Sequence, residues 1–381
     1  MALLYHKVEE TDKETTPIFG TNNQANKELM RIALLTIWHC ENYGAEMQLY
    51  ATVKALTELG HKVNVIDFRL SDYKSTIKSQ IVRLLTFFTP NYQHFRSFWK
   101  EHIKTTDHYY KLEELKANPP KADAYIVGSD QVWNEDITRN RASAYFLDFG
   151  SEEIRRISYA SSIGVDKWTF SKDFTELAKR QIKKFSFISC RENTGANILS
   201  DTLNVKVENV LDPTLLYDNY TEITGKLFDK KTIVYYPLSK EDVSLVTFCK
   251  DLSVEMNLKY VNANPYTLML GLPIVWNRNS VKRWMKTIGE AAFVVTGSFH
   301  GLAFSLINHR QFVIVNPNKN GRNSRITDLL RLLGLMDRFF TSVEDAKASK
   351  VWTQKIDYDK VDLELSKARQ YSWDYLRRCL S

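Results

Sequence analysis

Cysteine, proline and glycine are all sparse in this 381-residue chain, at 4, 9 and 14 residues. Cys40, Cys190, Cys249 and Cys379 lie far apart and form no CxxC pair. That spacing argues against a disulfide framework and against structural zinc, and it fits a reducing cytoplasm. No stretch approaches the roughly 20 uninterrupted apolar residues that a membrane-spanning helix needs. The first residues lack a basic segment followed by a long apolar one, which argues against a secretory signal. Neither sign of charge dominates, with 52 basic and 45 acidic residues. The surplus is too diffuse to mark a nucleic-acid binder, and it is compatible with an acidic substrate or an anionic membrane surface. Walker, GxGxxG, HExxH and GxSxG motifs are missing. The histidines are scattered, so neither a metal site nor a cofactor is expected.

What is present is an α/β pattern repeated twice. Residues 1–30 lack periodicity and read as an N-terminal extension. Ile32 to Ile37 is a short apolar run, as expected of a strand buried on both faces. Asn42-Tyr43-Gly44 follows, then a helix with Leu49, Val53 and Leu56 on one side, and then a strand from Val63 to Asp67. Strand, helix and strand in that order form a βαβ unit, which implies a parallel sheet. Residues 70–118 read as a basic, aromatic helical insertion. Its part from 81 to 104 is by default core packing, with contact to a lipid surface as the alternative. Alternation resumes at Ala124–Val127, with further strands near 156–160, 185–190 and 207–211. A link at 212–230 leads to a second series, with strands near 232–236, 258–262, 292–296 and 312–315. The domains expected are residues 31–220 and 221–345, both doubly wound and Rossmann-like, followed by a helical tail over 346–381. Two such halves in series point to a cleft enzyme, with its chemistry just beyond the strand ends.

Four loops satisfy that rule. Thr296-Gly297-Ser298-Phe299-His300-Gly301 runs from a strand straight into a helix, where free N–H groups favour an anion and His300 is placed to exchange a proton with it. Arg191 ends an apolar strand and presents a planar fork suited to phosphate or carboxylate, with a structural salt bridge as its alternative. In the loop from Asn316 to Ile326, Ser324 is placed to cap a helix starting at Arg325, and Arg322 and Arg325 flank that cap. Asn42-Tyr43-Gly44 and Gly128-Ser129-Asp130 are polar turns suited to an acceptor rim.

These loops, in order, resemble the bacterial polysaccharide pyruvyl transferase family. The resemblance rests on Asn42-Tyr43-Gly44-Ala45, Gly128-Ser129-Asp130-Gln131-Val132-Trp133-Asn134, and Ser158-Tyr159-Ala160-Ser161-Ser162-Ile163-Gly164. It continues through Arg191-Glu192, Asp212-Pro213-Thr214, Ser298-Phe299-His300-Gly301 and Ser324-Arg325-Ile326, and covers about residues 31–340. It implies a fold similar to GT-B glycosyltransferases, with two Rossmann-like domains facing a cleft. It also implies transfer of a pyruvyl group from phosphoenolpyruvate onto two hydroxyls of a sugar, with galactose or mannose expected. The acceptor is a capsular or exopolysaccharide repeat, free or carried on a polyprenyl diphosphate, and the site of action is the cytoplasm or the inner face of its membrane.

On this reading Arg191, Ser298, Phe299, His300, Gly301, Arg322 and Arg325 hold the donor. Asn42, Tyr43, Gly44, Ser129 and Asp130 hold the acceptor. His300 is the expected acid and Asp130 the expected base. Many family members have Arg two residues before the histidine, where this chain has Ser298, and Arg322 or Arg325 is the expected substitute charge. Two alternatives stay open: a GT-B enzyme using a nucleotide sugar, for which Glu290 is the ribose-binding acid on offer, and a non-catalytic carbohydrate-binding protein.

Overall fold

A computed structural model describes residues 29–69, 77–237, 242–265, 277–317 and 323–381. The expected N-terminal extension therefore lies almost wholly outside the described residues, as does Arg322.

The first sheet contains β1 (Arg31–Leu35), β2 (Lys62–Phe68), β3 (Thr105–Tyr109), β4 (Ala124–Val127) and β5 (Arg155–Ser158), in the order β3-β2-β1-β4-β5. All its pairings are parallel. Beside it, β6 (Ser189–Cys190) pairs with β7 (Glu208–Asn209). The second sheet contains β8 (Thr232–Tyr236), β9 (Lys259–Asn262), β10 (Phe293–Thr296), β11 (Gln311–Val315) and β12 (Phe339–Phe340), in the order β12-β11-β10-β8-β9. It too is parallel throughout.

Period-two alternation explains why both sheets are covered on both faces. Ile32 and Leu34 of β1 enter one core, and Ala33 and Leu35 enter another. In the second sheet Val294 shares the first core while Phe293 and Val295 enter a third. The shared core runs continuously from β1 to β10 and joins the two halves.

The insertion expected to be helical over 70–118 also contains a strand. The segment 70–118 is helical in α1's successors, α2 (Ile77–Phe87) and α3 (Pro90–His102), where α1 is Tyr43–Glu58, but it then supplies β3 at the sheet edge. Thr105, Asp107 and His108 of β3 are exposed, and a polar edge strand carries none of the apolar signal that betrays a buried one. The tail also does more than trail. Its last helix, Tyr358–Cys379, returns to the first sheet, where the Tyr375 hydroxyl donates to the Ser158 carbonyl at 2.8 Å. The Leu211 amide donates to Ser372 Oγ at 2.9 Å, and Arg155 donates to the Cys379 carbonyl at 2.8 Å.

Strand order reverses between β1 and β4 in the first sheet and between β8 and β10 in the second. Crevices open at such points beyond the carboxyl ends of the strands. The candidate site forms between the two.

Candidate active site

Arg191 follows β6 and is its centre. Its side chain is 1% exposed and donates to Asp212 Oδ2 at 2.8 Å and to Ser129 Oγ at 3.1 Å. A longer contact of 3.4 Å reaches Asp130 Oδ1, and the guanidinium lies 5.1 Å over the Phe299 ring. Burial alone would lower its pKa, but Asp212, Glu192 and Asp130 outweigh that and raise it, so the charge is permanent.

Asp212 caps the short helix Pro213–Leu216 and accepts from the Thr214 amide at 3.0 Å and the Thr214 hydroxyl at 2.6 Å. Burial pushes its pKa up, yet Arg191, then His300 and Thr214, pull it down to about 2. An ionised carboxylate in so dry a place requires this set of donors.

His300 enters from the other half, in the first turn of the helix Phe299–Ile307. Its Nε2 stands 4.0 Å from Asp212 Oδ1 and has no hydrogen-bond partner among the described residues. Burial, opposed by Asp212 and reinforced by Arg191 and Arg325, lowers its pKa to about 4. The unliganded imidazole is therefore neutral at pH 7. Ser298 is the cap of this helix, its Oγ accepting from the Gly301 amide at 3.3 Å. An alanine Cβ at Gly301 would lie 2.7 Å from Thr296 Oγ1, so the turn is as tight as the sequence implies.

The loops of the first half meet this helix directly. A Cβ added to Gly44 would lie 2.1 Å from His300 Nδ1, so glycine is what admits the ring. Asn42 is exposed and caps α1, accepting from the Gly44 amide at 2.9 Å and the Ala45 amide at 3.2 Å. Tyr43 is buried between the halves, stacked on Trp284 and donating to the Asn279 carbonyl at 2.8 Å. Ser129 is also fully buried, donating to Asp212 Oδ2 at 2.9 Å. Of the five residues expected on an acceptor rim, Asp130 alone combines partial exposure with a carboxylate at the cluster. Its φ of 77° is a strained conformation for a non-glycine residue and costs roughly 1–3 kcal/mol. The turn is held by Asn134, which donates to the Ile163 carbonyl at 2.7 Å, and by the Trp133 amide, which donates to the Ser162 carbonyl at 3.1 Å.

Arg325 feels the charges of the cluster. Its pKa is lowered by burial and by Arg191, against the opposing pull of Glu192, Asp130 and Asp212. Ser324, however, is the first residue of the helix Ser324–Leu332 and Asn323 its cap, a boundary shift of one residue.

The sequence marks Asp212 and Glu192 as parts of motifs without giving either a role, and it does not mark Arg141 at all. Asp212 looked like part of an interdomain link, although an Asp before Pro with Thr two residues on is a helix-cap signature. Glu192, buried beside Arg191, accepts from the Ser162 hydroxyl and, at 3.0 Å, from the Cys190 thiol. Arg141 bears on Tyr145, as do Asp130 and Cys40, and its Nε and one terminal nitrogen are buried without a partner. Among the described residues, Arg191 Nε and His300 Nε2 are buried without a hydrogen-bond partner, as are nitrogens of Arg141, and such groups call for a ligand or solvent partner. Among the described residues no group of three or more His, Cys, Asp or Glu could hold a metal ion.

Comparison with known proteins matches the chain to a family. No curated protein matches the chain in sequence. Among solved structures, UDP-N-acetylglucosamine 2-epimerase from Rickettsia bellii superposes with a TM-score of 0.55 at 12% identity, covering 92% of this chain and 96% of its own. Arabidopsis thaliana UGT89C1, solved with UDP-L-rhamnose, gives 0.53 at 9% identity, covering 93% and 98%. At such identities the likeness concerns the fold, two Rossmann-like α/β halves in the GT-B arrangement. The family model for polysaccharide pyruvyl transferases matches residues 42–319, from the cap of α1 to beyond β11. That span includes Asp130, Arg191, Asp212 and His300, and the chain belongs to the polysaccharide pyruvyl transferase family.

Proposed function

We propose that the protein transfers the pyruvyl group of phosphoenolpyruvate onto two hydroxyls of one sugar and releases phosphate. The observation that carries this reading is the buried Arg191–Asp212 pair faced by a neutral, unpartnered His300. Phosphoenolpyruvate carries a phosphate and a carboxylate, so it needs at least two cationic or N–H-rich contacts. Arg191 and Arg325 supply charge on the donor side, and the start of the helix Phe299–Ile307 supplies N–H groups. Ser298 leaves no cation at its own position, and Arg325 supports the substitution expected from the sequence.

In the reaction a proton adds to the methylene carbon, and the first sugar hydroxyl attacks the cationic C2. The C2–O bond to phosphate breaks, and the second hydroxyl closes the ketal. Of the two hydroxyl protons lost, one balances the new methyl group and the other leaves on the phosphate. His300 is the donor-side acid or phosphate contact. Burial chiefly depresses its pKa, with Arg191 and Arg325 adding to it, and the negative charge of an arriving dianion acts against all three, so donor binding draws a proton towards it. Asp130 is the base on the acceptor side, and Asp212 orients Arg191.

The acceptor is read as a galactose or mannose unit of a capsular or exopolysaccharide repeat, presented on a polyprenyl diphosphate at the inner face of the cytoplasmic membrane. No cofactor enters this chemistry. The nucleotide-sugar alternative is not favoured by Glu290, whose carboxylate is buried and ion-paired with Lys230 and, at 3.1 Å, with Lys286. Phosphate release from phosphoenolpyruvate over a panel of glycan acceptors tests the reading, with titration against UDP-sugars as its counterpart. Release with one acceptor class, lost by 100-fold or more in His300→Ala, is expected. Wild-type turnover in that variant removes His300 from the chemistry, and tight binding of a UDP-sugar without phosphate release overturns the donor.

A further inference from the structure

The helix α2 leaves an apolar strip uncovered. Ile81 is 51% exposed and Leu84 59%, and Phe88, one residue past the helix end, is 67% exposed; at 3.6 residues per turn the three lie on one side. Phe87, 37% exposed, stands at its edge beneath the Arg96 guanidinium at 5.2 Å. Val82 and Leu85 are partly buried. The segment 77–104 contains Lys78, Arg83, Arg96, Lys100 and Lys104 against a single acid, Glu101. An apolar strip in a stretch of sequence rich in basic residues complements a surface that is anionic outside and apolar just beneath, which describes the headgroup layer of an acidic phospholipid membrane.

A second copy of the chain is a poorer occupant. Even at roughly 250 Å² for a whole large side chain, these partly exposed residues fall short of the roughly 800 Å² per partner that a stable interface buries. Nor does any helix among the described residues have the length and apolarity to cross a membrane, so contact through this strip is a surface contact. The strip is linked to the cleft by ring contacts: Phe87 meets Tyr92 at 5.5 Å, Tyr92 meets Trp99 at 6.0 Å, and Trp99 meets His39, beyond the carboxyl end of β1, at 4.6 Å.

We infer that α2 docks the protein on anionic phospholipid, with Ile81, Leu84 and Phe88 in the headgroup–acyl boundary and the first-half rim of the cleft held at the bilayer surface. This placement concerns where the protein sits and stands whichever donor it uses.

Co-sedimentation of the full chain with phosphatidylglycerol–phosphatidylcholine vesicles, and with phosphatidylcholine alone, tests it. Binding to the acidic vesicles, weakened by salt and reduced at least tenfold in Leu84→Glu/Phe88→Glu, is expected. The variant should keep the wild-type melting temperature and its phosphate release on a water-soluble acceptor. As a second readout, Leu84→Trp should shift its fluorescence to the blue on adding acidic vesicles only. Wild-type protein that stays in the supernatant overturns the inference, as does a double variant that binds as well as wild type. A change of oligomeric state in the double variant, without vesicle binding by wild type, assigns the strip to a second copy instead.

Discussion

Gly44 and His300 belong to different halves of the chain, and each limits what the other can be. The Nδ1 edge of the imidazole fills the space that a side chain at position 44 would need. Gly44→Ala should therefore push the ring away from Asp212 while leaving the three cores intact. A displacement near 1 Å at a reacting group costs on the order of 100-fold in rate, so kcat/KM should fall by about that much with a melting temperature close to wild type. Unchanged kcat/KM would mean that the position of His300 does not matter. The same pair shows what can be read from a sequence. That Gly44 permits a turn is legible. That it faces a histidine 256 positions later is not, because nothing local records the contact. Asp212-Pro213-Thr214 was legible as a motif but the role of Asp212 was not, for a related reason: Arg191, Ser129 and His300 lie elsewhere in the chain, and Thr214 speaks only for the helix that Asp212 caps.

Among elements, α1 shows how the strand end is stiffened. Its first two turns are buried and include Glu46, whose pKa burial raises to about 8 against the opposing hydrogen bonds from Trp99 and the His39 amide. The ordinary value is 4.5, so between pH 4.5 and about 8 the unfolded chain gives up a proton that the folded helix keeps. Stability falls as pH rises through that window. Glu46→Gln should abolish the fall, which urea denaturation at pH 5 and pH 8 would reveal as a wild-type loss absent from the variant. The apolar parallel strands β1, β4, β8, β10 and β11 were legible because burial on both faces writes a continuous apolar run. β3 was not, since an exposed edge strand is written in polar residues. The helix starts after β1 and β10 were legible for their turns, whereas Ser129 and Tyr43, which look like rim residues in the sequence, are drawn inward by Asp212 and by Trp284.

For the molecule as a whole, the last helix is as much a part of the first half as β5. Tyr375 is fully buried there, with its ring 6.3 Å from Tyr159 and 6.4 Å from Phe187. Tyr375→Ala should cost about 3–5 kcal/mol, as truncation of a buried aromatic does. The measurement is urea unfolding with Arg191 region probes, such as the Cys190 thiol, followed alongside global signal. A cost below about 1 kcal/mol would show that the helix merely rests on the sheet.

The first half is thus built from two separated stretches of chain, and synthesis delivers them far apart in time. A ribosome adding roughly 5–20 residues per second finishes β5 well before it begins the helix Tyr358–Cys379. Throughout that interval the nascent chain presents the sheet face that Tyr375 later covers. The sheet is formed first and sealed later, and the helix Tyr358–Cys379 decides when the first half has finished folding.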